Sequence, residues 1–477
     1  MLCKDLLYLV LQYKNNCYSI THKDVICMMR KITPQYTTVK LIDFSVSHWS
    51  VAHVLRNLLQ FKWIDTLCLK NNMILLDQYG SCFSIVKQIP NLKKLRIENI
   101  RMQHHHDIHY NTHALNNLWQ LDNLEEIVFT TRLHCNVVIN APMPKLQRLC
   151  LSYNKIYDIS LQCDNLRILN LNDNHISDIS TLASCSKLEC LFMNNNYIKD
   201  ISPLASCCAL HTVYLGNNQI TDISALRHCP KLRIVDLFHN EIKDISSLSS
   251  CHALYTLYLS NNQITDISAL STLDKLEVLY INVNYISSIV DICNLENLRE
   301  LYASYNALTH KIDACWPNMD HLCLSGCHIR NIEFLRNSPK LKKLDLSNNE
   351  ISDLPLLTNN QLEVLDLSQC RLTNIDCLRD LPLLTTLQLY NNMIEDIYVL
   401  QNMNELKVLM IDNNEITDIG CLSSLTKLHH LNISYNKITD ILVLKNCIGL
   451  TRLVSHSNNI PKKDYDELAR VLPLRER

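Results

Sequence analysis

The sequence predicts an α/β solenoid, in which a curved parallel β-sheet lines the concave face and short helices or 3₁₀ turns form the convex face. Three observations predict this fold class. A pattern of apolar and asparagine positions restarts about every 22 residues from Leu146 onward. Within each repeat the apolar residues alternate as in a half-buried strand, and the short period leaves room for only one helical turn on the return path.

The regular coils occupy residues 146–460 and share the skeleton Leu-x-x-Leu-x-Leu-x-x-Asn-x-Ile-x-Asp-Ile-x-x-Leu, which is that of a leucine-rich repeat solenoid. Positions one, four and six are expected to face the core, together with the later Ile and Leu. Fifteen coils can be aligned with steps of 20 to 22 residues, starting at Leu146, Leu166, Leu188, Leu210, Leu232, Leu254, Leu276, Leu298, Met319, Leu341, Leu362, Leu384, Leu406, Leu428 and Leu450.

Two irregular segments precede the regular coils. Residues 1–35 predict an N-terminal helical cap, with short helices around Leu2–Tyr13 and Asp24–Arg30. Residues 36–145 carry irregular repeats with longer steps, which leave room for true helices on the convex side such as Val51–Gln60. Strand centres are expected there at 39–41, 67–69, 95–97 and 127–129.

The chain is expected to end in a C-terminal capping helix and tail, residues 461–477. The helix is predicted from Asp464 to Val471. The side chains expected to cover the last coil are Tyr465, Leu468, Val471 and Leu472.

Two polar positions recur because the bends need them. The ninth-position Asn is expected to hydrogen-bond backbone groups at the end of each strand, with Cys327 and Cys370 replacing it twice. The thirteenth-position Asp is expected to cap the following turn and not to form a catalytic array. These aspartates are Asp178, Asp200, Asp222, Asp244, Asp266, Asp353, Asp396, Asp418 and Asp440.

The 22 cysteines are interpreted as core residues and not as a disulfide or zinc framework. Six of them stand three residues before a coil start, where other coils have Leu or Met, so cysteine replaces a buried apolar residue as it does in reducing compartments. These six are Cys163, Cys185, Cys207, Cys229, Cys251 and Cys447.

Composition excludes several classes of function. A net charge of -2 argues against a nucleic-acid binder that neutralises phosphates, and five widely separated glycines allow neither a phosphate loop nor a dinucleotide fingerprint. The start of the chain lacks the features of a signal peptide, and no apolar run is long enough to cross a membrane. We therefore expect a cytoplasmic or nuclear protein.

No catalytic constellation, cofactor site or metal site is predicted. The sequence has no nucleophile elbow and no His-Glu-x-x-His motif, so we expect no enzyme activity. A histidine cluster at His104–His106, His109 and His113 has two imidazoles four residues apart. An exposed insertion explains this cluster better than metal binding, because no further ligand with suitable spacing completes the set.

Candidate partner-binding residues lie on the concave face, where position five is central. Six consecutive coils place an aromatic outward, with Phe238 filling the row where Asp236 interrupts it, and an acidic stretch follows. Lateral stacking that stabilises the sheet is the alternative explanation, but an uncovered stripe of this length favours a binding face. The candidates are Phe192, Tyr214, Asp236, Phe238, Tyr258, Tyr280, Tyr302, Tyr305, Asp345 and Asp366.

The run Asn-Asn-Gln-Ile-Thr-Asp-Ile-Ser-Ala-Leu, at 217–226 and again at 261–270, resembles the repeats of the protein phosphatase 1 regulatory leucine-rich repeat subunit and of bacterial internalins. The C-terminal segment, with Asn459-Ile-Pro461 and Asp464-Tyr465, resembles the cap of intracellular eukaryotic members. The phosphatase-regulator resemblance implies that aromatic and acidic concave residues contact a phosphatase catalytic subunit. The residues concerned are Phe192, Tyr214, Asp236, Tyr258, Tyr280, Tyr302, Asp345 and Asp366.

Three hypotheses follow for the function. The first is a non-catalytic protein-protein interaction scaffold that binds a globular partner, as a phosphatase regulator does. The second is a ubiquitin-ligase substrate receptor in which residues 1–35 form an F-box-like docking module, and the third is an internalin-like adhesin.

Overall fold

The computed structural model divides into two compact units, Met1–Ile242 and Lys243–Arg477. Both consist of repeated coils, in which a short parallel strand is followed by a bend and a return path. The residues described are 6–9, 38–42, 55–56, 58–59, 62, 64–70, 73–74, 86–98, 101–102, 123–130, 143–308, 312, 314–351, 355–357 and 361–474.

The main sheet of the first unit contains ten described strands, which pair in parallel in chain order. A separate parallel pair is formed by β4 (Met73–Ile74) and β6 (Arg101–Met102). The ten strands are β1 (Leu6–Leu9), β2 (Thr38–Ile42), β3 (Thr66–Lys70), β5 (Lys94–Glu98), β7 (Glu126–Thr130), β8 (Arg148–Cys150), β9 (Ile168–Asn170), β10 (Cys190–Phe192), β11 (Thr212–Tyr214) and β12 (Ile234–Asp236).

The second unit also contains ten described strands, again paired in parallel in chain order. It ends in one α-helix, α1 (Lys462–Val471). The strands are β13 (Thr256–Tyr258), β14 (Val278–Tyr280), β15 (Glu300–Tyr302), β16 (His321–Cys323), β17 (Lys343–Asp345), β18 (Val364–Asp366), β19 (Thr386–Gln388), β20 (Val408–Met410), β21 (His430–Asn432) and β22 (Arg452–Val454).

The return paths of the regular coils are 3₁₀ turns of three to five residues, as the short period predicts. In the first unit they are Ser180–Ser184, Ser202–Ser206 and Ser224–His228. In the second unit they are Ser246–Ser250, Ser268–Thr272, Val290–Ile292, Glu333–Asn337, Asp376–Leu378, Tyr398–Asn402, Gly420–Ser424 and Leu442–Asn446. The predicted parallel-sheet solenoid is confirmed.

One part of the predicted N-terminal helical cap is wrong. Leu6–Leu9 form a strand that pairs with Thr38–Ile42, whereas a helix was expected over Leu2–Tyr13. A short continuous apolar run has no periodicity that separates a strand from a helix, and here the edge of β2 supplies backbone partners. The other predicted helix, Asp24–Arg30, lies outside the described residues.

The strands predicted for residues 36–145 are confirmed, because β2, β3, β5 and β7 each contain the expected centre. Leu55, Arg56 and Leu58 are helical, within the predicted Val51–Gln60 segment. Leu55 and Leu58 are fully buried, so the expected apolar face packs inward at these two residues.

Each regular coil contributes six aliphatic side chains to the core. Burying one such side chain contributes about 2 kcal/mol, so this layer is the main source of stability. In the coil that begins at Leu254 all six are at most 1% exposed, namely Leu254, Leu257, Leu259, Ile264, Ile267 and Leu270.

The ninth-position asparagines form a buried ladder, as expected. Asn284 donates from Nδ2 to the carbonyl oxygens of Leu259 at 3.0 Å and Ile281 at 3.1 Å, and its Oδ1 accepts the Ile264 N–H at 3.0 Å. The preceding residue, Val283, has φ of 54°, a left-handed conformation that sharpens the bend. One side chain therefore connects two successive coils.

The aspartate caps are confirmed at every described position. In each coil the carboxylate accepts the N–H of the residue two places ahead, at the start of the 3₁₀ turn, as Asp266 does with Ser268 at 2.8 Å. The same bond is made by Asp178, Asp200, Asp222, Asp244, Asp396, Asp418 and Asp440. Asp353 lies outside the described residues.

The C-terminal helix α1 packs against Leu442–Asn446 and covers the last coil. Leu468 is fully buried, and the Tyr465 hydroxyl donates to the carbonyl oxygen of Ser455 at 3.3 Å. Val471 was expected in this contact, but it is 56% exposed, because it is the last residue of the helix and lies on its outer side.

The cysteine ladder is buried as predicted. The thiol of Cys207 donates to the carbonyl oxygen of Leu182 at 3.4 Å, and burial, with smaller effects from the neighbouring thiols of Cys185 and Cys229, raises the pKa of Cys207 to about 12. The adjacent residue, Cys208, is exposed.

This pair predicts a large difference in reactivity. With N-ethylmaleimide at pH 8, we expect Cys207 to be alkylated more than about a hundredfold more slowly than Cys208, because only an accessible thiolate reacts. Mass spectrometry of digested protein measures both sites, and both should react alike in denaturant. Equal labelling of the two thiols in the native protein would contradict the buried ladder.

Candidate protein-binding face

The third residue of each short strand points away from the core, and in the second unit these residues form a continuous row. The first three are tyrosines, Tyr258, Tyr280 and Tyr302, which lie opposite one another in register and are partly exposed. Their ring centroids are 4.9 Å apart for the first pair and 4.1 Å for the second, which is stacked at 11°. We call these three residues the tyrosine strip.

The tyrosine strip is held by its neighbours as well as by stacking. The Tyr302 hydroxyl donates to Glu300 Oε2 at 3.3 Å. Partial burial, and then contact with the Tyr280 hydroxyl, raises the pKa of Tyr302, so the phenol is neutral over the physiological range. The strip therefore presents apolar ring surface that ends at the neutral hydroxyl of Tyr302.

The same row continues into an acidic end. Cys323, Asp345 and Asp366 follow Tyr302 in register on the next three strands. Cys323 Sγ donates to Asp345 Oδ2 at 3.2 Å, and burial, followed by the charge of Asp345, raises the pKa of the Cys323 thiol to about 12. We call Asp345 and Asp366 the acid pair.

Each carboxylate of the acid pair also closes a local turn. Asp345 Oδ1 accepts the Ser347 N–H at 2.9 Å and its hydroxyl at 2.6 Å, and Asp366 Oδ1 accepts the Ser368 N–H at 2.9 Å. Burial raises the pKa of Asp366 in spite of these donors. The charge of the acid pair is thus only partly compensated.

A row of small hydroxyl residues forms the floor beside the strip and the acid pair. The Ser325 and Ser347 hydroxyl oxygens are 2.8 Å apart, and Ser325 is the donor because the single Ser347 proton is directed at Asp345. The Ser325 N–H donates to Ser304 Oγ at 3.1 Å. All three serines are buried. These short side chains follow the tyrosines and aspartates along their strands and form a hydrogen-bonded row beside them.

Tyr305 directly follows Ser304 in the chain and is 58% exposed. Its ring lies so close to Gly326 that a Cβ at that glycine would be 2.9 Å from the ring. Gly326 also has φ of +62°, which favours glycine. Tyr305 is therefore outside the stacked row, although the sequence places it near Tyr302.

Paired charges occupy the beginning of the same strands. Asp320 contacts both Arg299 and Lys342, the second at 3.8 Å, and Arg299 also lies 4.0 Å from Glu277. These exposed ion pairs run from coil to coil, and each contributes little to stability. Arg299 and Lys342 therefore pair with carboxylates at the strand starts and not with Asp345 or Asp366.

The first unit carries a smaller counterpart of the tyrosine strip. Phe192 and Tyr214 are stacked with centroids 5.2 Å apart, and Asp236 follows in register. Asp236 accepts a hydrogen bond from Asn194 Nδ2 at 3.2 Å and from the Phe238 N–H at 3.0 Å. Burial raises the pKa of Asp236, and burial with the nearby Asp236 charge raises that of Tyr214.

Phe238 is 37% exposed and its ring lies beside His239, with centroids 5.9 Å apart. Sequence reasoning missed another exposed group in this unit, in which His175 lies 4.8 Å from the Tyr157 ring and 5.5 Å from the Tyr197 ring. These three residues follow the bends and not the strands, so the position-five pattern does not find them.

Among the described residues, no group of three or more His, Cys, Asp or Glu side chains is arranged to hold a metal ion. The histidine cluster from His104 to His113 lies outside the described part. No helix in the described part is both long and apolar enough to cross a bilayer.

A family model described as leucine-rich repeats, in two copies, matches more than half of the chain. The matched segments are 144–184, 186–228, 230–272, 253–297, 317–359, 360–402 and 404–446. None of the curated proteins compared with this chain matches it.

Two of the solved structures compared with this chain, those with TM-scores above 0.5, give the same fold. A leucine-rich repeat protein of Leptospira interrogans is 21% identical, with a TM-score of 0.63, and the alignment covers 89% of this chain and 98% of that one. The ectodomain of the Arabidopsis thaliana receptor kinase GASSHO1/SCHENGEN3, solved in complex with Casparian strip integrity factor 2, is 19% identical, with a TM-score of 0.59 over 89% of this chain and 53% of that chain. A Listeria monocytogenes internalin, InlF, is 28% identical, with a TM-score of 0.48 over 69% of this chain and 85% of its own.

Proposed function

Because the chain belongs to the leucine-rich repeat family, whose fold is typical of protein-protein interaction, we propose that it is a non-catalytic scaffold that binds a protein partner on the strand face of its second unit. The contact surface is the tyrosine strip together with the acid pair. The partner is a globular protein, and by the resemblance of the repeats it is a phosphatase catalytic subunit.

The observation that carries this proposal is the combination of stacked, partly exposed tyrosines with carboxylates that lack an ion-pair partner among the described residues. Stacking alone contributes about 1 kcal/mol per ring pair and explains why the tyrosines are adjacent. It does not explain the acid pair, which adds electrostatic cost to the free protein. Tyrosine is one of the residues enriched in interface hot spots.

The buried cysteines of the first unit bear on the cellular location. Cys163, Cys185 and Cys207 are buried free thiols at consecutive rungs of the first unit. Such thiols suit a reducing compartment, so we propose that the protein acts in the cytoplasm or the nucleus. The F-box-like alternative loses support at Leu6–Leu9, where a strand replaces the expected helix.

The test is a triple substitution, Tyr258→Ala, Tyr280→Ala and Tyr302→Ala, with purified protein phosphatase 1 catalytic subunit as the first partner and quantitative affinity-purification mass spectrometry as the unbiased readout. We expect the triple variant to bind more than tenfold more weakly than wild type, because central aromatic hot spots each contribute about 2 kcal/mol. Circular dichroism establishes that the variant is folded.

A matched control removes three exposed tyrosines of the same unit that lie outside the strand face, Tyr285, Tyr398 and Tyr435. This control should keep wild-type binding. Equal binding by the strip variant would refute the proposed site, whereas failure of the wild type to bind the phosphatase, with tyrosine-dependent capture of another protein, would refute only the partner's identity.

A further inference from the structure

We propose that the acid pair is the docking site for an arginine side chain of the partner, presented by an extended segment whose apolar residues cover the tyrosine strip. This inference rests on the proposed function and names the chemistry of its partner. Asp345 and Asp366 lie directly opposite each other on neighbouring strands. Strands in a sheet are about 4.8 Å apart, so the two carboxylates can face one planar guanidinium.

The acid pair lies outside the ion-paired rows of the second unit. At the strand starts, Glu277 and Asp320 are each within 4.0 Å of a cation. After a bend, Glu350 pairs with Arg330 at 2.6 Å. No ion pair joins Asp345 or Asp366 to any residue in the described part of the chain. Their sites are also less accessible to water than the strand starts, where exposed Lys and Arg carry the positive charge.

Ser368 lies two residues after Asp366 and is fully buried. Its N–H donates to Asp366 Oδ1 at 2.9 Å, and its side chain also lowers the pKa of Asp366 against the larger effect of burial. These donors orient the Asp366 carboxylate but supply no positive charge, so the carboxylate remains available to a cation.

The surroundings favour arginine over other cations. Cys323 and the two aspartates do not form a metal-binding arrangement, and the Cys323 thiol donates its proton to Asp345. Lysine would present a single point charge, whereas arginine offers several N–H donors in one plane and packs against aromatic rings.

The distances along the row also fix the spacing of the partner segment. Tyr302 and Asp345 are separated by two strand spacings, or about 9.5 Å. An extended chain advances about 3.3 Å per residue, so the arginine should stand about three residues from an apolar residue that covers Tyr302. From Tyr302 the tyrosine strip extends two more strand spacings, to Tyr258, so it accommodates a second apolar residue of the partner segment.

The experiment selects a phage-displayed library of random 12-residue peptides on the full-length protein and on three variants. The first variant is Asp345→Asn with Asp366→Asn, which keeps the shape and the serine N–H acceptors. The second is the tyrosine-strip triple variant. The third is Asp320→Asn, a control that removes a carboxylate from the paired row at the strand starts.

We expect wild type and Asp320→Asn to select peptides with arginine about three residues from an apolar residue. The double Asn variant should lose the arginine preference and bind the leading wild-type peptide at least tenfold more weakly in calorimetry, since a hydrogen bond between charged groups is stronger than one between neutral groups. If the peptides selected on wild type showed no preference for arginine, or if the double Asn variant kept that preference, the arginine-docking inference would be wrong and the proposed function would stand. Selection of the same peptides by the tyrosine variant, or of none by wild type, would overturn the proposed function as well.

Discussion

Replacing Asn284 by alanine is expected to lower the free energy of unfolding by about 4 kcal/mol. The substitution leaves the N–H of Ile264 without a partner in the core. It also removes one of the two amide donors from the carbonyl oxygens of Leu259 and Ile281, which keep their bonds from Asn262 and Asn306. A buried N–H left unsatisfied costs about 1–3 kcal/mol, and each of the two lost hydrogen bonds costs about 1 kcal/mol. The measurement is a urea unfolding curve with hydrogen exchange of residues 254–286, because a solenoid can lose one coil before the others.

Two further variants make this expectation specific. Asn284→Cys should lose about half as much stability as Asn284→Ala. Cys327 occupies the same ladder position in another coil, and its thiol donates to the carbonyl oxygens of Ala303 at 3.2 Å and Ser325 at 3.5 Å. A thiol retains the donor and loses the strong acceptor. Asn294→Ala, at an exposed position, should change stability by less than about 0.5 kcal/mol. If alanine and cysteine at 284 were equally tolerated, the ladder would not connect the coils.

The asparagine and aspartate roles could be predicted from the sequence because the repeat imposes the same backbone requirement many times. Each coil must turn out of its strand, and Asn is the residue that both donates to and accepts from the bend, as at Asn284. The segment Leu6–Leu9 has no such repetition. Its apolar residues fit either a helix or a strand, and pairing with β2 decided the outcome.

The candidate site was predictable only in part. Position five is repeated in every coil, so the stacking of Tyr280 on Tyr302 follows from register alone. Register does not predict that Asp345 and Asp366 lack ion pairs, because ion pairing depends on where the long Lys and Arg side chains extend. Arg299 and Lys342 extend along the strand starts to Asp320 and not toward the centre of the face.

Replacing Trp316 by alanine is expected to lower the free energy of unfolding by about 4 kcal/mol. Trp316 stands three residues before the coil start at Met319, the ladder position that Cys251 and Leu295 fill in other coils. It is fully buried, and its Nε1–H donates to the carbonyl oxygen of Ile292 at 2.9 Å. Alanine would leave a large cavity and remove the indole hydrogen bond, while the Ile292 carbonyl oxygen would keep the Leu295 N–H at 3.2 Å.

Trp316→Leu separates the two contributions, because leucine is a native residue at this ladder position. It fills part of the cavity but donates no hydrogen bond, so it should retain about half of the stability that alanine loses. Leu356→Ala, which removes a leucine 41% exposed, is the matched control and should change stability by less than about 0.5 kcal/mol. Urea unfolding and hydrogen exchange of residues 292–335 measure all three. The indole also lies edge-on to Phe334, with 6.5 Å between ring centroids, so in the alanine variant faster hydrogen exchange should extend to the turn Glu333–Asn337. If exchange in that turn were unchanged, the indole would not support it.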